Sequence, residues 1–255
     1  MKSLVWLTIL CCSTIVSSQS KPQNIFILAG QSNMAGRGGI INGVFNKVEP
    51  PECTPGPQIL RFNAKLAWEE AHDPLHADID PKTCGMGPGM SFANAVLAKD
   101  PSIGVIGLVP CAVGGTKIRE WKREMKLYNN MIERTKAALK DGGDLRALLW
   151  FQGESDTTTL EEATTYKASF EKFIADVRAD LAAPTLPVVQ VIVTSGDGKF
   201  VKEIRESQQA INVANLKQVD SQGLPLQGDH VHLTTESAIK VGHMLADAFL
   251  QFPSQ

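Results

Sequence analysis

The sequence predicts an α/β fold in which a parallel sheet is covered by helices on both faces. Three observations carry this. Short apolar runs recur along the chain, amphipathic helical stretches separate them, and motifs rich in reactive side chains follow the ends of the runs. Of 255 residues, 43% are hydrophobic, enough for a substantial core; the length alone fits one large domain as well as two smaller ones.

The runs read as buried strands are Asn24 to Ala29, Ile103 to Val109, Arg146 to Phe151 and Pro187 to Thr194, with a weaker one from Leu216 to Val219. The first helix is expected over Phe92 to Lys99, with Ser91 as N-cap. A second spans Leu127 to Lys140 and is closed by Gly142 and Gly143. A third, Thr159 to Leu181, carries Leu160, Ala163, Tyr166, Phe170, Phe173, Ile174 and Val177 on one face. Its start, Thr158-Thr159-Leu160-Glu161, fits a capping box. Lys199 to Asn212 and Ser237 to Phe252 complete the set. The stretch from Gly36 to Gly89 has little periodicity; so long a loop is functional or carries small elements of its own.

Residues 1–20 read as a secretory signal peptide. Lys2 supplies the positive start, Leu4 to Leu10 the apolar run, and Val16-Ser17-Ser18 a small-residue cleavage site. The expected destination is extracellular, with no stable membrane association after cleavage. Cleavage leaves Cys53, Cys84 and Cys111, an odd count that predicts at most one bridge; Cys53 and Cys84, in one polar Pro- and Gly-rich region, are the expected pair. The formal net charge of -2 gives no electrostatic case for a nucleic-acid partner. No Cys-x-x-Cys or His-x-x-x-His spacing supports a metal, Gly-x-Gly-x-x-Gly is absent, and no cofactor is expected.

Four segments carry chemistry. In Gly30-Gln31-Ser32-Asn33-Met34-Ala35-Gly36, a serine at a strand-to-helix turn exposes Oγ beside free backbone N–H groups, which suits a nucleophile. Met34 stands where a nucleophile elbow would need glycine, and a helix N-cap serine fits the segment equally well. In Asp229-His230-Val231-His232, a base and the carboxylate that fixes its tautomer share one turn. His232 is favoured over His230 because Asp229 precedes it by three residues; a polar surface turn is the plainer reading. In Pro110-Cys111-Ala112-Val113-Gly114-Gly115-Thr116, glycines let the backbone aim N–H groups at a ligand, or simply make a tight turn. In Trp150-Phe151-Gln152-Gly153-Glu154-Ser155-Asp156, Gln152 can donate to a developing oxyanion. Glu154 and Asp156 sit too close together in sequence to flank a glycosidic bond and are read as acceptors that hold the loop.

GQSNMAG, PCAVGGT, WFQGESD and DHVH, in this order, resemble the SGNH-hydrolase superfamily. More narrowly, they resemble the plant members of carbohydrate esterase family six, related to sialate O-acetylesterases. The similarity runs from about Gln23 to the C-terminal helix, so 21–255 is read as a single esterase-type domain. The resemblance implies a three-layer α/β/α sandwich with a central parallel sheet of flavodoxin-like kind. It also implies a triad of Ser32, Asp229 and His232, and an oxyanion hole of the Ser32 N–H, a glycine N–H and the Gln152 side chain. Gly114 is the preferred glycine, with Gly115 as the other candidate. The expected reaction is hydrolysis of short acyl esters, acetyl above all, on a carbohydrate partner.

Two rivals stand beside it: a glycoside hydrolase using Glu154 and Asp156, and a non-catalytic carbohydrate-binding protein on an esterase fold. A lipase is disfavoured because no long apolar lid segment is present. His72 and His76 are candidates to line the cleft from the long loop, and His243 reads as structural.

Overall fold

The computed structural model describes residues 21–253, so the expected signal peptide lies outside the described residues. The first apolar run forms β1 (Asn24–Gly30), buried at every position as a central parallel strand must be. A one-turn helix α1 (Ser32–Ala35) follows it directly. The long irregular stretch then supplies a two-stranded hairpin, β2 (Ile40–Ile41) and β3 (Val44–Phe45), and a second pair, β4 (Ile59–Phe62) and β5 (Trp68–Glu70). The remaining elements alternate: α2 (Gly89–Lys99), β6 (Ile106–Pro110), α3 (Lys126–Ala138), β7 (Asp144–Phe151), α4 (Leu160–Asp180), β8 (Val188–Ile192), α5 (Val201–Gln209), β9 (Leu216–Asp220) and α6 (Thr235–Phe249).

These build a seven-stranded sheet of order β5-β4-β6-β1-β7-β8-β9. Every pairing in it is parallel except the antiparallel β4–β5 edge. β1 lies between β6 and β7, where the chain switches sides of the sheet, and ligands of such sheets bind outside the carboxyl ends of the strands at that crevice.

Two aromatic clusters cover the two faces. Register places Phe26 beside Ala147 and Ala29 beside Trp150, so Phe26 and Trp150 point to opposite sides. On one side Phe26 meets Phe92 of α2 and Phe249 of α6, with ring centroids 5.0 and 4.9 Å apart. There α2 and α6 approach closely: a Cβ at Gly242 would lie 2.0 Å from the Ser91 Oγ. On the other side Trp150 meets Trp121 at 5.2 Å and Phe173 of α4 at 4.7 Å. The Trp150 Nε1 donates to the Tyr166 hydroxyl (3.0 Å), which donates to the Gln152 carbonyl (2.9 Å), so core packing fixes the loop after β7.

Several local expectations need correction. The segment from Gly36 to Gly89 does carry small elements, as expected, but two of them, β4 and β5, join the main sheet, which the sequence did not indicate. Its pattern is masked because β4 carries Arg61, which is buried with ion-pair partners Glu69 (2.7 Å) and Asp78 (3.0 Å). The N-cap of α2 is Pro88 rather than Ser91, whose hydroxyl instead donates to the Pro88 carbonyl at 3.1 Å. The cap of α4 is one residue later than expected: Thr159 Oγ1 accepts from the Glu162 N–H at 3.2 Å. Cys53, Cys84 and Cys111 are all free and buried, so the expected Cys53–Cys84 bridge is absent. Cys53 lies in a short turn beside the Ser91 backbone, whereas Cys84 faces the Arg37 guanidinium (3.6 Å) and the His76 carbonyl (3.5 Å), a different neighbourhood.

Candidate active site

The turn after β1 can be made only by glycine at its first position. Gly30 has φ +128°, and a Cβ there would lie 2.1 Å from the Phe151 carbonyl oxygen. The Gln31 N–H then donates to that same oxygen at 2.9 Å, which ends β1 against β7. The Met34 and Ala35 N–H groups close α1 onto the Gln31 carbonyl at 3.0 and 2.9 Å. As the first helical residue, Ser32 has no intrahelical acceptor for its own N–H. The turn is buried, with Ser32 only 4% exposed.

The second half comes from the turn before α6. Gln227 N–H donates to the His232 carbonyl (2.7 Å), and His230 N–H donates to the Gln227 carbonyl (3.0 Å). Asp229 Oδ1 accepts from the Val231 and His232 N–H groups, each at 3.0 Å. Its Oδ2 lies 2.6 Å from His232 Nδ1, and His232 Nε2 lies 2.9 Å from Ser32 Oγ. An ionised carboxylate only accepts, so Nδ1 carries the ring proton and Nε2 is left to accept from the serine hydroxyl. Burial pushes the Asp229 carboxyl up, but the His232 and Val231 N–H groups and the imidazole outweigh it, so its pKa is lowered and it stays ionised at neutral pH. His230 is exposed, with φ +58°, and has no contact with Ser32.

Ser32, His232 and Asp229 are thus brought together: the Asp229–His232 contact follows the three-residue spacing, and the link to Ser32 is the one the family resemblance implies. The remaining predicted donors are placed differently. The Gly114 N–H is taken by Asp80 Oδ2 at 3.0 Å, an oxygen that also receives the Arg37 guanidinium at 2.6 Å. Gly115 lies on the same turn, is exposed and has φ +72°. Gln152 is fully buried, and its Nε2 faces three acceptors: Asp156 Oδ2 (2.5 Å), the Thr116 carbonyl (2.9 Å) and Gln31 Oε1 (3.2 Å). This amide is therefore committed to acceptors on the loops after β1, β6 and β7.

Gln31 is the residue that the sequence reading missed. Its Oε1 accepts from Gln152 Nε2 and from the Ser155 N–H (3.3 Å), which leaves its Nε2 without a hydrogen bond among the described residues in a side chain that is buried. No local sequence signal marks it: Gly30 pairs with Phe151, which sets Gln31 against Gln152, and that register is a property of the folded sheet. Asn33 was missed too; it bonds Glu154 and both sides of His232.

Glu154 and Asp156 are sealed acceptors. Glu154 Oε1 takes the Asn33 amide at 2.6 Å, and burial drives its pKa up to about 7. Asp156 takes the Ile118 N–H at 3.0 Å and is pushed by burial to about 6. His76 is buried near the Leu28 carbonyl (3.5 Å), with its pKa lowered by burial to about 3, so it is a neutral core group and not a cleft residue. His72 is exposed and 3.3 Å from the Asp73 carbonyl. Among the described residues no cluster of His, Cys, Asp and Glu is arranged to hold a metal, and no helix is long and apolar enough to cross a membrane.

The model of the carbohydrate esterase, sialic acid-specific acetylesterase family matches residues 22–251. A probable carbohydrate esterase of Arabidopsis thaliana, At4g34215, is 48% identical over 243 residues, covering 92% of this chain and 93% of that protein. The crystal structure of that Arabidopsis protein superposes with a TM-score of 0.87 at 49% identity, covering 90% of this chain and 98% of that one. A carbohydrate acetylesterase from Xanthomonas citri shares the fold, with a TM-score of 0.58 at 20% identity over 88% of this chain and 55% of that one. With its mostly parallel seven-stranded sheet and a family match that spans nearly every described residue, this chain belongs to the carbohydrate esterase, sialic acid-specific acetylesterase family.

Proposed function

We propose that this chain is a serine esterase that removes short acyl groups, acetyl above all, from carbohydrate. The observation that carries the reading is the hydrogen-bonded chain Ser32 Oγ–His232–Asp229, with spacings of 2.9 and 2.6 Å. A hydroxyl becomes a competent nucleophile when a base in hydrogen-bond reach takes its proton, and here a carboxylate holds that base in the required tautomer.

In the proposed reaction Ser32 Oγ attacks the ester carbonyl and its proton passes to His232 Nε2. Asp229 stabilises the resulting imidazolium. The oxyanion is received by the Ser32 N–H and by Gln31 Nε2, which Gln152 and Ser155 hold from behind through Gln31 Oε1. Gln152 thereby acts as the support of a donor rather than as the donor itself. The C–O bond to the sugar breaks, and His232 gives its proton to the leaving sugar oxygen. Water then attacks the acyl-enzyme carbonyl, losing its proton to His232. Collapse releases the carboxylic acid and returns the proton to Ser32.

The glycoside-hydrolase rival loses support because Glu154 and Asp156 are sealed from solvent and occupied as acceptors. The carbohydrate-binding rival predicts sugar binding without release. The test is acyl release from acetylated xylan, pectin and short-chain aryl acetates, with and without a serine-directed phosphonate. Phosphonate-sensitive release of acetate supports the reading; no release from any of these esters defeats it. We further propose that residues 1–20 direct secretion, to be checked by N-terminal sequencing of protein recovered from the medium of expressing cells.

A further inference from the structure

We propose that Asn33 and Glu154 form a positioning pair that sets where the His232 imidazole stands relative to Ser32. This rests on the serine-esterase reading above. Asn33 directly follows Ser32 on α1, yet its side chain reaches the turn that carries the base, about 200 positions away. Its Nδ2 donates to the Val231 carbonyl at 3.3 Å, and its Oδ1 accepts from the Leu233 N–H at 2.9 Å. One amide therefore clips the backbone on both sides of His232.

A carboxamide has a donating end and an accepting end. The base turn offers one acceptor, the Val231 carbonyl, and one donor, the Leu233 N–H, so only one of the two amide orientations serves. Glu154 imposes that orientation. Its Oε1 accepts from Asn33 Nδ2 at 2.6 Å, and a flipped amide would set oxygen against oxygen there. Both side chains are buried, which denies water as a substitute partner. A second link runs parallel to this one: Gln227 Nε2 donates to the Arg37 and Leu233 carbonyls at 2.9 and 2.8 Å. Gln227 therefore reaches the turn on the Leu233 side and the Ser195 hydroxyl on the Val231 side (2.7 Å), while the Asn33 amide bonds the residues on both sides of the imidazole at once. The same carboxylate that a glycosidase mechanism would have used as an acid is here an orienting group two bonds removed from the reacting atoms.

The test uses Asn33→Ala, Glu154→Met and Glu154→Gln, with Ser32→Ala as control. Three readouts are taken on an aryl acetate: kcat, KM and the rate of phosphonate labelling of Ser32. Misplacing a base by about 1 Å costs up to about 10²-fold in rate. Asn33→Ala is expected to lower kcat and the labelling rate together by roughly 10²-fold with KM little changed. Glu154→Met is expected to lower both by roughly tenfold. Glu154→Gln keeps an accepting oxygen and is expected to stay within about threefold of the parent, a rescue that a merely structural role would not give. If Asn33→Ala fails to fold, the Glu154 pair decides alone. Wild-type kcat and labelling in folded Glu154→Met, or equal damage from Met and Gln, overturns the proposal. Full activity in Ser32→Ala would instead defeat the esterase reading beneath it.

Discussion

The two halves of the site are built in opposite ways. The nucleophile turn, Gly30 to Gly36, is buried throughout and backed by the sheet. The base turn, Gly228 to His232, stands largely in solvent; the Asp229 side chain is 47% exposed. It owes its shape to bonds within itself, through Asp229 Oδ1, and to tethers from the buried side: Asn33, Gln227 to Arg37, and the Ser195 hydroxyl to the Val231 carbonyl at 2.7 Å. The contrast teaches that precision at an exposed base can be supplied by a rigid partner that grips it, so the base turn need not be rigid by itself.

The bluntest way to break this comparison is to remove the group each half presents. Ser32→Ala and His232→Ala are each expected to lower kcat/KM on an aryl acetate by at least about 10³-fold with unchanged circular dichroism. His230→Ala, on the same turn but exposed and without a hydrogen bond to Ser32, should stay near the parent. An essential His230 would mean that the base turn presents the other imidazole.

The next effect lies wholly on the buried side. Losing one oxyanion donor typically costs about 10²–10³-fold in turnover. Gln31→Ala is expected to show such a loss in kcat, with Gln152→Ala smaller because it acts through Gln31. Steady-state kinetics of both variants checks this, and the reverse order would return the donor role to Gln152.

A third prediction reads the buried half through pH. The Glu154 carboxyl rises from 4.5 to about 7 on folding, with burial as the leading cause. Between those values the native state holds a proton that the unfolded chain has lost, so this group removes stability as pH rises through that window. Glu154→Gln cancels the term. Its melting temperature relative to the parent should improve from pH 5 to pH 8, and a constant difference would show that the carboxyl is ionised throughout.

The mildest test sharpens the exposed half. His230 holds φ +58°, a conformation that favours glycine. His230→Gly is expected to leave activity intact and to change stability by no more than about 1 kcal/mol, in the stabilising direction, by urea titration. A loss of activity would give the imidazole of His230 a role in the site.

How much of this was legible depended on how local each signal is. The strands β1, β6, β7 and β8 appear in the sequence as apolar runs because parallel strands are buried on both faces. Asp229 and His232 share one turn, so their spacing alone predicted their contact. The strands β4 and β5 were not legible, since Arg61 breaks the apolar pattern and its neutralising partners lie up to 17 positions away. The fate of the Gly114 N–H was hidden for the same reason: Asp80, which captures it, belongs to the irregular segment 34 residues earlier. The proposed exchange of roles between Gln31 and Gln152 rests on strand register and on the fully buried position of Gln152, and neither is written in a local pattern.

The three unbridged cysteines among the described residues have a consequence for handling. Burial drives the pKa of Cys84 and of Cys111 to about 11 and that of Cys53 to about 12. At pH 7 a thiol of pKa about 11 is ionised in only about one molecule in ten thousand, and the thiolate is the species that attacks alkylating agents and disulfides. A reductant, for its part, finds no disulfide to cleave among the described residues. The described domain therefore holds its shape by packing and hydrogen bonds, with no disulfide among the described residues whose reduction would loosen it.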